Sequence, residues 1–68
     1  MSVMKTLDKI LEQLQDSQWH SLDEIKKSIY LPSDKLNIMV CFLEKQAFIN
    51  MKSGMLKITY LGLKFLHL

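Results

Sequence analysis

The first quarter of the chain carries apolar residues at the spacing of an amphipathic α-helix. These residues follow the i, i+4, i+7, i+8, i+11 pattern and are Val3, Leu7, Ile10, Leu11 and Leu14. Met4 widens this stripe, polar residues occupy the other positions between its members, and the pattern fades around residues 16–18. The sequence therefore predicts a first helix with one side packed on a core.

A shorter second helix is predicted to begin just after Ser21. Residues 21–24 match a capping box. In this motif the Ser21 hydroxyl accepts from the Glu24 amide, and the Glu24 carboxylate accepts from the Ser21 amide. The expected inner face of this helix consists of Leu22, Ile25 and Ile29. Pro32 limits its extent, because the residue before a proline resists helical geometry.

The longest apolar stripe belongs to a predicted third helix, residues 33–46. Its members are spaced by four, three and four residues and are Leu36, Val40, Leu43 and Ala47. Ser33, or a neighbour, is expected to cap this helix. Polar and apolar residues mix on the opposite face, so the contacts of that face are the main functional question.

A hairpin and a last helix are predicted to follow. Ile49 and Met51 alternate with polar residues, as do Leu56 and Ile58, and Ser53-Gly54 between them supplies a two-residue turn. Trp19-His20 is too short for a strand of its own but can pair at the edge of this hairpin. Thr59 is expected to cap a helix over residues 60–67.

This order of elements resembles the winged helix-turn-helix domains of small archaeal and other prokaryotic transcriptional regulators of the MarR and ArsR type. The resemblance covers residues 21–66. It rests first on the apolar spacing of the third helix and the residues after it, which are Leu36, Val40, Leu43, Ala47 and Ile49. It rests also on a signature at the start of the last helix, which consists of Thr59, Gly62, Phe65 and Leu66. Ala47 departs from the family, which usually has glycine there. The implied fold is α+β: one winged-helix domain, residues 1–68, with a three-helix core, a short wing and a C-terminal helix.

The same resemblance implies binding to double-stranded DNA, with the third helix in the major groove and the hairpin wing on the backbone. The matching positions are Lys35, Asn37, Ile38, Cys41, Lys52, Ser53 and Gly54. In this interpretation the two lysines neutralise phosphates and Asn37 reads adenine. The expected function is transcriptional regulation.

Charge distribution is compatible with an anionic partner for the second half of the chain. The net charge is only +2, but residues 35–68 carry five lysines against one glutamate, whereas residues 1–34 carry four lysines against six carboxylates. Scattered solubilising lysines are an equally good explanation. There is no arginine, so the sequence lacks the usual bidentate reader of guanine.

A protein-interaction module that does not bind DNA directly is the alternative. Asp34, Ile38 and Met39 occupy positions where a groove reader favours cations and hydrogen-bond donors. The last helix is apolar on nearly every side, so its surface is expected to be buried against the core or another chain. A homodimer through the terminal helices is therefore expected, with its interface at Tyr60, Leu61, Leu63 and Leu68.

Composition predicts a small globular protein, and the absence of a catalytic motif from the sequence indicates that it is not an enzyme. The 68 residues are 49% apolar and include one cysteine, Cys41, which favours a reducing compartment and hence the cytoplasm. No apolar run has the length of a membrane span, and the N-terminus does not resemble a signal peptide. His20, His67 and Cys41 are too dispersed for a metal site, no cofactor is expected, and His20 is interpreted as a packing or turn contact.

Overall fold

A computed structural model describes residues 2–67, with side chains from residue 5 onward. The fold is α+β, with four helices and a three-stranded antiparallel sheet in the order β1-β3-β2. The elements are α1 (Ser2–Gln13), β1 (His20–Ser21), α2 (Leu22–Ser28), α3 (Ser33–Lys45), β2 (Ile49–Lys52), β3 (Met55–Ile58) and α4 (Tyr60–Leu66). No helix within residues 2–67 combines the length and apolarity needed to cross a membrane.

One hydrophobic core joins the first three helices to the sheet. Its buried residues are Leu7, Ile10, Leu11, Leu14, Ile25, Ile29, Leu36, Val40, Leu43, Ile49, Leu56 and Ile58. The inner stripes predicted for α1, α2 and α3 are thus confirmed at these positions, with Leu22 half-buried against them. The side chain of Val3 lies outside the described side chains.

The hairpin forms in the predicted register. Ile49 lies opposite Ile58 and Met51 opposite Leu56, so the alternating apolar residues share the face that meets the core. Ser53 and Gly54 both have positive φ, at 52° and 77°, which is the backbone of a type I′ turn. The predicted edge pairing is confirmed for His20, which lies opposite Leu56, but β1 consists of His20–Ser21 and does not include Trp19.

The end of α3 corrects the prediction for Ala47. The Phe48 amide donates to the Leu43 carbonyl and the Ala47 amide to the Glu44 carbonyl, which is a Schellman motif. Ala47 adopts φ 64° at the position that favours glycine, and its side chain is exposed. It therefore does not extend the buried stripe, because the helix has already ended at Lys45.

Thr59 fastens the start of α4 to the end of α3. Its hydroxyl accepts from the Gly62 amide, as predicted for an N-cap, and donates to the Ala47 carbonyl at 2.6 Å. A Cβ on Gly62 would lie 2.2 Å from the Phe48 carbonyl oxygen. This close approach explains why glycine stands inside a helix, and it brings the Phe48 and Phe65 rings into a stack with centroids 4.6 Å apart.

The starts of α2 and α3 each differ from the prediction in one detail. The Ser21 hydroxyl accepts from the Glu24 amide as expected, but the Glu24 carboxylate contacts His20 instead of returning to Ser21. At α3 the capping residue is Pro32, which makes no side-chain cap, and Ser33 is the first helical residue. The preset φ of proline suits a helix start even without a side-chain acceptor.

Candidate binding surface on the third helix

The residues predicted to contact DNA all lie in exposed positions, on two neighbouring elements. Lys35, Asn37, Ile38 and Cys41 are exposed on α3, on the side away from the buried stripe. The hairpin tip, residues 52–54, is exposed as well. The fold therefore leaves both groups accessible, one along a helix and the other on the turn that joins β2 to β3.

The outer face of α3 has two large apolar side chains with much of their surface in solvent. Ile38 is 68% exposed and Phe42 is 45% exposed. They are four residues apart, so they stand one above the other on the helix. We call this pair the apolar ridge. Exposed large apolar residues that form a contiguous group are typical of binding surfaces.

A depression between α1 and α3 borders one side of the apolar ridge. Its volume is about 330 Å³, and its lining consists of Leu7, Lys35, Ile38, Met39 and Phe42. Only the lysine among these has a charged group. Leu7 belongs to the core stripe of α1 and reaches this surface at its edge, which the helical spacing alone does not reveal.

A second depression borders the other side of the apolar ridge. Its volume is about 380 Å³, and it is lined by Asn37, Ile38, Cys41, Phe42 and Lys45. Cys41 is a free, exposed thiol. Lys45 is the charged residue that lines this depression.

The charged groups that line the two depressions are all cationic. Lys35 lies in the first and Lys45 in the second, ten residues apart on the same helix. With a rise of 1.5 Å per residue, their Cα atoms are roughly 15 Å apart along the helix axis. The carboxylates of α3, Asp34 and Glu44, are not among the described residues that line either depression.

A polar cluster that the sequence analysis did not identify lies at the start of α2. The His20 ring lies between two carboxylates, with Nε2 hydrogen-bonded to Asp16 Oδ1 at 2.8 Å and Nδ1 hydrogen-bonded to Glu24 Oε2. Only the protonated imidazole can donate from both nitrogens. The Asp16 and Glu24 carboxylates accordingly raise the pKa of His20, and the hydrogen bond from His20 lowers the pKa of Asp16. The spacing of four residues on each side of His20 was the available signal.

The residues predicted for a dimer interface are only partly free. Tyr60 and Leu61 are exposed on α4, and Lys64 lies over the Tyr60 ring at 5.5 Å. Leu63 is half-buried against the core of its own chain. Leu68 lies outside the described residues. The exposed part of α4 is therefore smaller than the sequence suggested.

Among the described residues, no three or more His, Cys, Asp and Glu side chains converge in a way that could hold a metal ion. The His20 cluster contains one imidazole and two carboxylates that are already paired with it. The outer face of α3 is therefore the candidate binding surface.

No protein-family model, curated protein or solved structure matches this chain.

Proposed function

We propose that the protein is a winged-helix transcriptional regulator that binds double-stranded DNA, with α3 in the major groove and the hairpin as the wing. The observation that supports this proposal is the free outer face of α3 together with the exposed hairpin tip that follows it. The connection of α2 to α3 has the length of a helix-turn-helix. The proposed compartment is the cytoplasm, where a free, exposed thiol such as Cys41 persists.

The proposed roles follow from side-chain chemistry. Lys35 and Lys52 neutralise backbone phosphates, and Asn37 offers an amide for the edge of adenine. Ile38 meets a thymine methyl group. Since no arginine is present, base discrimination is weak and phosphate contacts dominate the affinity. Binding should therefore depend steeply on salt.

Fluorescence anisotropy with a labelled DNA duplex tests this function. For two to three phosphate contacts, raising the salt from about 50 to 200 mM should weaken binding roughly 10- to 40-fold. The double variant Lys35→Glu/Lys52→Glu should bind at least about 10-fold more weakly and lower the salt slope by about two.

The matched control is Lys5→Glu/Lys9→Glu, which makes the same charge change at two exposed positions of α1. This variant should lose much less affinity, because neither lysine lies on α3 or the hairpin. The proposal fails if the protein does not bind DNA at low salt. It also fails if the two double variants lose affinity equally.

A second candidate is a protein-interaction module, favoured by the apolar ridge. Phosphates and sugars offer nothing to the exposed surface of Ile38 and Phe42, whereas a partner protein can bury it.

We also propose a homodimer through the terminal helices. Tyr60 and Leu61 are the exposed apolar residues of α4, and Leu61 lines a depression of about 300 Å³ with Phe48, Lys64 and Phe65. A two-fold contact lets each copy cover the other's patch. Sedimentation should give a dimer for the wild type and a monomer for Tyr60→Glu/Leu61→Glu. A wild-type monomer would exclude the dimer.

A further inference from the structure

The two depressions and the apolar ridge between them form one continuous surface along α3. Both depressions share Ile38 and Phe42 as lining residues. Each volume is at the lower end of the range for ligand sites, which is about 300–1,000 Å³. The surface is thus suited to receiving large side chains on each side of a ridge, spaced along the direction of a helix.

A ridge of residues four apart is the feature that packs into the groove of another helix. An amphipathic helix that crosses α3 can place one apolar side chain in each depression, with Ile38 and Phe42 between them. Lys35 and Lys45 mark the two ends of this surface, roughly 15 Å apart. Carboxylates on the incoming helix can pair with both lysines.

We propose that the outer face of α3 binds an amphipathic helix of a partner protein, with apolar residues against Ile38 and Phe42 and carboxylates against Lys35 and Lys45. This inference rests on the second candidate function and specifies its partner. Charge complementarity argues against a second copy of this chain as the occupant. An antiparallel two-fold contact of α3 with itself would set Lys35 of each copy near Lys45 of the other.

The test uses two fluorescent peptides of about four helical turns with identical leucine faces. One peptide has glutamates at both ends and the other has lysines in the same places. The full chain should bind the glutamate peptide at least about 5-fold more tightly than the lysine peptide. Ile38→Gln/Phe42→Gln should weaken binding of the glutamate peptide at least about 10-fold, because it removes the apolar contacts.

Two further variants separate the charge contribution from other effects. Lys35→Glu/Lys45→Glu should reverse the preference, so that the lysine peptide binds more tightly. Tyr30→Gln is the matched surface control, since Tyr30 is 99% exposed and lines neither depression. Circular dichroism should show unchanged folding for all three variants, because every substituted residue is exposed.

Cys41 supplies an independent measurement of occupancy. It is exposed, lines the second depression and is the one cysteine of the chain. The bound glutamate peptide should slow alkylation of Cys41 several-fold in the wild type and not in Ile38→Gln/Phe42→Gln. Alkylation that the saturating peptide does not slow would overturn the proposed location.

Each result separates this inference from the broader functions. If both peptides bind equally and the ridge variant binds neither, the surface docks proteins but the acidic partner is wrong. If neither peptide binds at about 1 mM, the helix partner is wrong, whatever the DNA titration gives. A self-association that Ile38→Gln/Phe42→Gln abolishes would make a second copy the occupant and overturn the proposal.

Discussion

The inner and outer faces of α3 carry similar apolar residues in opposite environments. Leu36, Val40 and Leu43 have almost no exposed surface, whereas Ile38 and Phe42 expose 68% and 45% of theirs. All five residues belong to the same helix. The inner three meet α1, the sheet and α2 in one core, while the described elements leave a large part of the outer two in solvent. Burial, and hence its contribution to stability, depends on what the fold lays against each face.

The difference also separates two uses of apolar surface. Apolar surface removed from water on folding contributes roughly 25 cal/mol per Å² to stability, and the inner face makes this contribution in the folded chain. The same contribution at the outer face is available only to a binding partner. This is why the inner stripe explains the fold and the apolar ridge is the candidate for function.

The largest expected effect comes from comparing one truncation on each face. Leu43→Ala should lower the free energy of unfolding by about 2–5 kcal/mol, because it leaves a cavity in the core. Ile38→Ala should change it by no more than about 0.5 kcal/mol. Urea denaturation of the two variants measures both values. Equal losses would mean that Ile38 is covered in the folded protein.

A pair of glycines extends the comparison to backbone contacts. Gly62→Ala should destabilise by about 1–3 kcal/mol, since its Cβ would collide with the Phe48 carbonyl and with Ile58. At Gly54 a Cβ meets nothing within 4 Å, and only its φ of 77° opposes alanine. Gly54→Ala should therefore cost only about 1 kcal/mol. Thermal unfolding distinguishes them, and the reverse order would contradict the close approach of α4 to Phe48.

Ala47→Gly tests whether an exposed position can affect stability without any side-chain contact. Ala47 has φ 64° in the Schellman motif that ends α3, a backbone conformation that costs alanine more than glycine. The substitution should stabilise the protein by about 1 kcal/mol. Gln46→Gly, at a residue with φ −81°, is the control and should destabilise it. Denaturant midpoints measure both changes.

The smallest expected effect concerns His20, a half-buried polar group whose ring nitrogens, unlike the apolar ridge, have partners within the chain. The two carboxylates raise the pKa of His20 in the folded protein. The stability that this cluster contributes is therefore fully present below the unfolded pKa of about 6.5 and is lost as the pH rises through the higher folded value. The lowered pKa of Asp16 adds stability above its unfolded value, which is lost as the pH falls through the folded one.

Urea denaturation at about pH 6 and pH 8.5 measures this dependence. The free energy of unfolding should be higher at the lower pH in the wild type, and His20→Gln should flatten the difference. His67→Gln is the control, because His67 lies exposed at the end of α4. A slope that survives in His20→Gln would assign the effect to other groups.

Local physical rules explain why much of the fold was predictable. The buried residues of α1, the caps at Ser21 and Thr59 and the turn at Ser53-Gly54 all depend on neighbours within about four residues. Helical periodicity and capping hydrogen bonds involve only residues within that distance along the sequence. The α+β fold with four helices and a small antiparallel sheet followed from them.

Two predictions were wrong where a second local geometry competed with the one that the side-chain pattern indicated. Ala47 continued the apolar spacing, but the helix ended before it in a Schellman motif. The Glu24 carboxylate had a local partner in Ser21, yet it contacts His20, which the pairing of β1 with β3 holds beside α2. In both cases the side-chain pattern was correct and the competing backbone geometry decided the outcome.

The sequence by itself determined that α3 has a buried stripe, because spacing alone sets which residues share a face. Only the tertiary structure decided that Ile38 and Phe42 remain uncovered between two depressions lined by Lys35 and Lys45. The reason is that a helical pattern specifies directions around an axis and not what lies beyond them. The area left open depends on how α1 and the hairpin are placed around α3.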